Sequence, residues 1–379
     1  MTTHPAGLEP RDLRRGLWLP VGAWLIATTT VFATSALTGR TPFGSAAWMH
    51  WDAFEYLDIS EHGYNLFPCV VNNLESWCGN SGWFPAYPWL IRAIGSVGLD
   101  HVSFAIGLAW LFDLAAVVLL WAGFYRRVDF GAGAAVVFAA FAPGLVYDYA
   151  AFPLSMLAFL TLLYLWLLSV ERWLLAGIVG IAVVLTYPVG IAAPLAAGAA
   201  LLVAYPRVPG FERLRRVALA CIPPIAAVAI IPLVQQNETG HWNAYFLAQS
   251  NFGHWLEDPF NGTIHALRLL EHWRLFTLAG ATSAQALLVT AAMLATIVAL
   301  AVRRPPITSF QLLVLVWMVA AWVIPEATSG TSHYRGEGAL LPMAILIGLL
   351  PRALALAICI GTIAVAVPIE VLFLRNSLI

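Results

Sequence analysis

The chain has 379 residues, of which 61% are hydrophobic and only 10% are charged. Soluble proteins carry about 25% charged residues, so this composition excludes a soluble domain. The formal net charge of −1 also excludes nucleic acid as a partner, because no basic surface is available to replace the counterions of the phosphates.

Apolar segments recur along the whole length and predict an all-α polytopic membrane protein that forms a single domain over residues 1–379. About eleven spans are expected, near 17–38, 103–125, 131–148, 150–170, 172–187, 189–205, 214–235, 281–302, 308–326, 339–350 and 352–374. The first run is too long for the apolar region of a signal peptide, so we expect it to be retained.

The distribution of arginine predicts the orientation, since the sequence contains no lysine. With a cytoplasmic N-terminus, thirteen of the nineteen basic residues face the cytoplasm, as expected for a protein of the cell membrane. The same count keeps the half-length apolar piece 84–98 at the outer surface as a juxtamembrane or re-entrant helix. Two long loops, 39–102 and 236–280, then lie outside, where we expect the active site.

Two cysteines, Cys69 and Cys78, lie in the first of these loops and are separated by eight residues. An oxidising outer compartment permits a disulfide between them, and two free thiols are the alternative. Cys221 and Cys359 lie in apolar spans and are expected to be buried small side chains.

Four carboxylates occur within ten residues directly after the first span, at Asp52, Glu55, Asp58 and Glu61. In a helix over 49–62, Asp52 and Glu55 share one face, whereas Asp58 and His62 lie four residues apart on another. A carboxylate at the bilayer surface can act as a general base or bind a metal ion. The alternative is an amphipathic surface helix with a solvated acidic face.

Several stretches resemble the PIG-V-type mannosyltransferases, which belong to the GT-C superfamily of glycosyltransferases. The first motif pair is HWDAFEYLDISEHGY at 50–64 and WFPAYPWL at 83–90. Further matches follow in the family's order: FAPGLVYDY at 141–149, TGHWNAYFLAQSNFGH at 239–254, and HYR at 333–335. The resemblance covers most of the chain.

The resemblance implies a GT-C type bundle that transfers mannose, with inversion, from a polyprenyl-phosphate carrier to a hydroxyl of a lipid-linked or exported acceptor. Asp52 matches the family's general base. Arg335, assisted by His333 and Tyr334, is the candidate for binding the leaving phosphate, because a guanidinium matches phosphate oxygens. No cofactor and no metal ion is expected, since the donor contains no pyrophosphate.

Other residues are candidates for binding the substrates. They come from the first outer loop, from the outer end of a span and from the second outer loop: His50, Trp51, Glu55, Tyr56, Tyr87, Asp148, Tyr149, His241, Trp242, Gln249, His254 and Trp255. Tryptophans at a membrane interface are also the ordinary aromatic belt. Asp113 lies in the middle of a span and is expected to face the bundle interior.

Composition alone is compatible with two other classes, a lipid transporter or flippase and a non-catalytic assembly subunit. A transporter is expected to show internal repeats, and we find none. Its charges would also gather near the bilayer midplane, whereas here they gather in the outer loops. The resemblance is the main reason for favouring an enzyme.

Overall fold

The computed structural model describes residues 16–71, 74–96, 98, 100–203, 208–252, 258–269, 274–303, 307–327 and 333–378, without the side chains of residues 252 and 333. Within those residues, six helices are long and apolar enough to cross a membrane: Trp18–Leu37, His101–Tyr125, Gly210–Thr239, Leu278–Ala301, Ser309–Ala327 and Arg352–Leu374. Four shorter apolar helices are Phe130–Ala140, Leu154–Ser169, Trp173–Thr186 and Pro188–Val203. The chain is a multi-pass helical membrane protein, as its composition predicts.

The α-helices in chain order are α1 (Trp18–Leu37), α2 (Asp52–His62), α3 (Ala86–Gly95), α4 (His101–Leu120), α5 (Phe130–Ala140), α6 (Val146–Tyr149), α7 (Leu154–Ser169), α8 (Trp173–Thr186), α9 (Ala192–Val203), α10 (Gly210–Ala227), α11 (Ile230–Thr239), α12 (Ala244–Gln249), α13 (Asn261–Arg268), α14 (Leu278–Ala301), α15 (Ser309–Ala327), α16 (His333–Gly336), α17 (Ala344–Ile347) and α18 (Arg352–Leu374). A π-helix, Trp121–Tyr125, continues α4. Short 3₁₀-helices are Ser45–Ala47, Pro188–Ile191, Ser250–Phe252 and Glu337–Met343.

Small residues allow the central helices to approach closely. A Cβ atom added to Gly177 of α8 would clash with the Leu219 carbonyl oxygen of α10. One turn further along α8, a Cβ atom on Gly180 would lie 3.0 Å from Pro224. Such backbone proximity supplies the dispersion contacts that hold helices together in lipid, where the hydrophobic effect between helices is absent.

Three predicted spans are interrupted in the structure, of which 214–235 is interrupted only by the two-residue turn between α10 and α11. The segment 131–148 forms α5 and the one-turn α6, with a break between them that contains Pro143 and Gly144. Proline has no backbone N–H for a helix, and Gly144 has a φ of +78°. The segment 339–350 begins in the 3₁₀-helix Glu337–Met343 and continues in α17, so it contains no long regular helix.

A two-stranded antiparallel hairpin, β1 (Phe67–Val71) and β2 (Leu74–Cys78), follows α2 and was not predicted. Its apolar residues Phe67, Val70 and Leu74 are exposed, so the alternation of buried and exposed residues that marks a half-buried strand is absent. A disulfide joins Cys69 to Cys78, with 5.8 Å between their Cα atoms. The cross-link closes the open end of the hairpin.

The C-terminal end of α2 is fixed by contacts with other segments. At its C-terminus, the Arg92 guanidinium of α3 donates hydrogen bonds to the carbonyl oxygens of Ile59, at 2.6 Å, and Ser60, at 2.7 Å. The next residue after α2, Gly63, has a φ of +89°, and a Cβ atom there would lie 2.8 Å from the Glu238 carboxylate of α11. The segment that follows α2 therefore packs so closely against α11 that position 63 requires a glycine.

Candidate active site

The backbone is strained immediately before Asp52, the first residue of α2. Trp51 has φ and ψ angles of 46° and −115°, a combination that residues with a side chain rarely adopt. Such a conformation costs about 1–3 kcal/mol and persists only where the surrounding structure imposes it. Strain of this kind concentrates at functional sites, so it favours a functional role for the adjacent Asp52.

The Asp52 carboxylate forms an ion pair with the Arg335 guanidinium, through Oδ2 and Nη1. The side chains remain 25% and 18% exposed, respectively, so the pair is accessible to a ligand. The structure thus brings together the predicted general base and the predicted phosphate-binding residue. The Nε atom of Arg335 is buried and has no hydrogen-bond partner among the described residues.

The short helix α16 carries Arg335 and is held by residues that sequence analysis missed. The Gln285 side chain of α14 donates hydrogen bonds to the Tyr334 carbonyl oxygen, at 2.9 Å, and to the Glu337 carboxylate, at 2.6 Å. Its own Oε1 accepts the Gly144 N–H at 3.3 Å. A Cβ atom on Gly144 would lie 2.9 Å from that same Tyr334 carbonyl. The break between α5 and α6 therefore fits against α16.

Aromatic rings surround the ion pair. The Arg335 Cζ lies 6.0 Å from the centroid of the Phe152 ring, which in turn lies 5.0 Å from the Tyr147 ring. Phe373 of α18 contacts both Tyr147, at 5.2 Å between centroids, and Trp51, at 5.1 Å. The Tyr147 hydroxyl and the Trp51 indole N–H are buried and unpartnered within the described part of the chain. These two polar atoms are available to a ligand.

One further tyrosine lies close to the pair. Tyr187, between α8 and the 3₁₀-helix that follows, is near enough to interact electrostatically with both Asp52 and Arg335. Of the four aromatic residues Tyr147, Phe152, Tyr187 and Phe373, none was predicted for the site. Tyr147 lies in the motif at 141–149; otherwise their sequence signal is that each sits at the end of an apolar segment, a property shared by many residues of this chain.

The other predicted residues of α2 have different environments. Tyr56 is buried and packs on Tyr87, with 5.7 Å between the ring centroids. The Tyr87 hydroxyl donates to the Ala105 carbonyl oxygen at 2.8 Å, which ties α3 to α4. Glu55 is half-buried, and its carboxylate makes no hydrogen bond or ion pair within the described residues. Burial, and then the negative charges of Asp52 and Asp58, raise the pKa of Glu55.

Asp58 has a structural environment. Its Oδ1 lies 2.9 Å from His62 Nδ1, the contact expected for residues four apart on a helix. Its Oδ2 accepts hydrogen bonds from the side-chain amides of Asn65, at 3.0 Å, and Asn80, at 2.6 Å. Asp58 therefore links the segments before and after the hairpin. His50 is 7% exposed, and its ring packs edge-on against Phe373 at 4.8 Å.

The predicted residues of the second loop contact the first loop rather than the ion pair. Gln249 donates to the Gly82 carbonyl oxygen at 2.7 Å, and the His241 ring lies 4.9 Å from that of Trp77. Trp242 is 67% exposed. His254 and Trp255 lie outside the described residues, as does the side chain of His333. Tyr334 is buried, and its hydroxyl donates to the Leu378 carbonyl oxygen.

Asp148 and Tyr149 belong to a second buried polar group. The Tyr149 hydroxyl shares a 2.8 Å hydrogen bond with Thr28 of α1, and the Tyr149 carbonyl oxygen accepts one from Trp110. Asp148 is 2% exposed and interacts electrostatically with Asp113 of α4. Asp113 faces the bundle interior, as predicted, and accepts a hydrogen bond from the Trp24 indole at 2.9 Å.

Among the described residues, no group of three or more His, Cys, Asp or Glu side chains is arranged to hold a metal ion. Metal independence stays a prediction.

Comparison with known proteins relates the chain to solved structures only. No family model and no curated protein sequence matches it. The crystal structure of ArnT from Cupriavidus metallidurans bound to undecaprenyl phosphate matches with a TM-score of 0.51 and 14% identity, over 94% of this chain and 76% of that one. The Archaeoglobus fulgidus oligosaccharyltransferase tethered with an acceptor peptide matches with a TM-score of 0.50 and 14% identity, over 95% and 55%. Both are GT-C glycosyltransferases, and this chain has the GT-C membrane fold.

Proposed function

We propose that the chain is an inverting glycosyltransferase that moves mannose from a polyprenyl-phosphate carrier to a hydroxyl of a lipid-linked or exported acceptor. The observation that carries the proposal is the accessible ion pair between Asp52 and Arg335. Asp52 is a proton acceptor for the attacking hydroxyl, and Arg335 is a cation that can bind the leaving phosphate. The fold is shared with ArnT bound to undecaprenyl phosphate and with an oligosaccharyltransferase tethered with an acceptor peptide.

Asp52 acts as the general base. The acceptor hydroxyl oxygen attacks the anomeric carbon of the donor sugar, and its proton passes to the Asp52 carboxylate. The bond between the anomeric carbon and the phosphate oxygen breaks, and its electron pair leaves with the carrier phosphate. Attack opposite the leaving group inverts the anomeric configuration. A positioned base of this kind contributes about 10²–10⁴-fold to the rate.

Arg335 binds the leaving phosphate, whose negative charge increases as the bond breaks. A guanidinium has five N–H donors, and the Nη1 atom of Arg335 is the one engaged with Asp52. The Nε atom, which is buried and has no partner among the described residues, is one of the donors that remain for a phosphate oxygen. The Asp52 carboxylate and the carrier phosphate are thus two anions that bind the same guanidinium, so binding of the donor affects the position of the base.

The aromatic rings around the pair suit a sugar. Trp51, which is partly exposed, offers an apolar face for the C–H groups of a pyranose ring, and the buried rings of Tyr147 and Phe152 support the site from behind. The Tyr147 hydroxyl and the Trp51 indole N–H offer hydrogen bonds to sugar hydroxyls, since neither has a partner among the described residues. The choice of mannose, and of the PIG-V-type family, is supported by the motifs at 50–64, 83–90 and 333–335.

We assign the site to the outer face of the cell membrane, with the N-terminus in the cytoplasm. The support is the arginine distribution, together with the disulfide of the first loop, which requires an oxidising compartment. The reaction needs no metal ion, because a lipid monophosphate donor has no pyrophosphate for a divalent ion to bridge.

Sugar transfer by the purified protein tests the proposal. Wild-type protein, given polyprenyl-phosphate mannose and a lipid extract of the source cell, is expected to yield a mannosylated product with or without a chelator. A carrier bearing glucose is the control for sugar identity. The transferase proposal is wrong if the protein binds the carrier but transfers no sugar from any carrier. Movement of a fluorescent polyprenyl-phosphate lipid between leaflets would then favour the flippase alternative.

A further inference from the structure

Tyr187 occupies the turn between two short apolar helices. The first of them, α8, begins directly after Arg172 and ends at Thr186, so its 14 residues are about 21 Å long. The hydrocarbon layer of a membrane is roughly 30 Å thick, so the turn lies inside that layer rather than at its surface. Irregular backbone is tolerated at such a depth only where protein or a water-filled cavity covers it. The turn therefore faces the interior of the protein, and the Tyr187 ring packs against the core.

The local sequence fixes the backbone of this turn. Pro188 disfavours the helical conformation in the residue before it, and Tyr187 accordingly has extended φ and ψ angles of −158° and 149°. In the 3₁₀-helix that follows, the chain packs back on α8 so closely that a Cβ atom on Gly190 would clash with the Val183 carbonyl oxygen. The Tyr187 side chain is therefore carried by a tightly packed turn.

The Tyr187 hydroxyl is close to the ion pair and has no partner of its own. Tyr187 interacts electrostatically with Asp52 and Arg335, and also with Tyr56 of α2. The Tyr187 side chain is partly exposed, and its hydroxyl makes no hydrogen bond among the described residues. The hydroxyl is therefore available to a ligand that lies beside the pair.

A second hydroxyl comes close to Tyr187 from the second outer loop. Tyr245 of α12 interacts electrostatically with Tyr187, and its own hydroxyl has no partner in the described part of the chain. The Tyr245 N–H donates to Gln235 Oε1 at 3.0 Å, and the buried Gln235 side chain donates to the Ser81 carbonyl oxygen at 2.7 Å. The Tyr245 ring packs edge-on against Phe84, with 5.5 Å between the centroids. Tyr245 is thus held between the two outer loops.

We propose that the hydroxyls of Tyr187 and Tyr245 bind hydroxyl groups of the transferred sugar and so determine which sugar the protein accepts. The inference rests on the proposed function. In that reaction the anomeric carbon lies between the base Asp52 and the phosphate bound by Arg335, so a group close to both residues lies beside the sugar ring. A phenol hydroxyl can both donate and accept a hydrogen bond, as a sugar hydroxyl does. A phosphate offers acceptors only, and the Arg335 guanidinium already serves it.

Calorimetric titration in detergent tests the assignment without any acceptor. The two probes are farnesyl-phosphate mannose and farnesyl methyl phosphate, which are both phosphodiesters and differ in the sugar. Tyr187→Phe and Tyr245→Phe should each weaken binding of the mannose probe by about three- to tenfold, the usual effect of losing one hydrogen bond. Neither variant should weaken the methyl probe, whereas Arg335→Gln should weaken both probes. Mannose probes that each lack one hydroxyl identify the contact, because the probe without the partner hydroxyl should bind wild type and variant equally.

Tyr164→Phe is the matched control. The Tyr164 hydroxyl of α7 contacts Ala220 and Cys221 of α10 rather than any residue of the site, so its loss should leave both affinities unchanged. Tyr187→Phe and Tyr245→Phe retain the rings and remove hydroxyls that have no partner among the described residues, so both variants should melt at the wild-type temperature. Equal weakening of the two probes would assign the tyrosines to the phosphate or to the fold and would overturn the proposal. Unchanged affinity for both probes would also overturn it.

Transfer assays separate this proposal from the proposed function. If wild type transfers mannose while both tyrosine variants bind the two probes as wild type does, the tyrosine assignment fails and the transferase proposal stands. If binding of the mannose probe depends on the two hydroxyls but no sugar is transferred from any carrier, the transferase proposal fails and the two tyrosines still bind a sugar.

Discussion

The Asp52 carboxylate and the Arg335 guanidinium form an ion pair although they are 283 positions apart in the chain. The first lies at the start of α2, after a strained residue, and the second lies in a single helical turn held by Gln285 and Gly144. Neither segment is a transmembrane helix, so both depend on the bundle beneath them for their positions. In the proposed reaction, Asp52 serves the attacking hydroxyl and Arg335 serves the leaving phosphate.

Asp52→Asn should reduce the rate of sugar transfer by about 10²–10⁴-fold, because an amide cannot accept the acceptor's proton. Donor affinity should persist, since Arg335 is retained. Single-turnover kinetics at saturating polyprenyl-phosphate mannose would measure both quantities. Glu75→Gln is the matched control, because Glu75 is an exposed acidic residue of the same loop that makes no contact with the pair. A wild-type rate for Asp52→Asn would contradict the assignment of the base.

Loss of either partner of the ion pair should destabilise the protein more than loss of both. Arg335→Gln leaves the part-buried Asp52 carboxylate without its charged partner, which should cost about 1–3 kcal/mol. Addition of Asp52→Asn should recover part of that cost, since the uncompensated charge disappears. Thermal unfolding of the two single variants and the double variant in detergent gives the coupling free energy between Asp52 and Arg335. Additive effects would indicate that the pair is a chance contact of exposed side chains.

Acidification should destabilise the fold through His50. Burial, and then the positive charge of Arg40, lower its pKa below the ordinary value of 6.5. A lowered histidine pKa means that the folded state favours the neutral ring. The stability that the neutral His50 ring contributes to the folded state is therefore fully present above pH 6.5, and it is lost as the pH falls through the folded-state pKa.

The melting temperature, measured from pH 8 to pH 5 for wild type and His50→Gln, checks this effect. Wild type should lose more stability than the variant between pH 6.5 and pH 5. Parallel curves would assign the acid sensitivity to other groups.

Reduction of the Cys69–Cys78 disulfide should loosen the hairpin and the loop packed on it. Closure of a loop of about ten residues stabilises by roughly 2–3 kcal/mol in the chain-entropy model. Ser76 and Trp77 of β2 bond the Asn251 side chain, so the effect should extend to the second loop. Hydrogen exchange of Cys69→Ser/Cys78→Ser protein should increase in 67–78 and 244–252 but remain unchanged in α18.

Gly63→Ala should destabilise the protein by about 1–3 kcal/mol. Its φ of +89° is unfavourable for a residue with a side chain, and a Cβ atom would lie 2.8 Å from the Glu238 carboxylate. Gly22→Ala is the control, because a Cβ atom on Gly22 in α1 meets no atom within 4 Å. The control should be neutral or slightly stabilising, since alanine has the higher helix propensity. Equal melting temperatures for the two variants would contradict the need for glycine at position 63.

Local properties of the sequence predict the helical membrane class and the positions of most long apolar helices. The apolar runs are long, and in lipid every backbone polar group must be bonded within the segment, so a helix is the only outcome. The carboxylates of α2 and the two cysteines of the first loop can also be recognised from the sequence, because the members of each set lie close together in the chain. The GT-C fold was predicted from motifs of this local kind.

The tertiary structure alone decides which of these residues meet. Nothing in the spacing of Asp52 and Arg335 indicates that they pair. Tyr147, Phe152 and Phe373 lie at the ends of apolar segments, as many other residues of the chain do, and nothing local marks Gln285. The hairpin cannot be predicted from the sequence pattern, because its apolar residues are exposed. The break at Pro143 and Gly144 matters for the site because it packs against α16, a contact that no local pattern indicates. Periodicity records which face of a segment is apolar, whereas the active site depends on contacts between segments far apart in sequence, and these form only when the bundle packs.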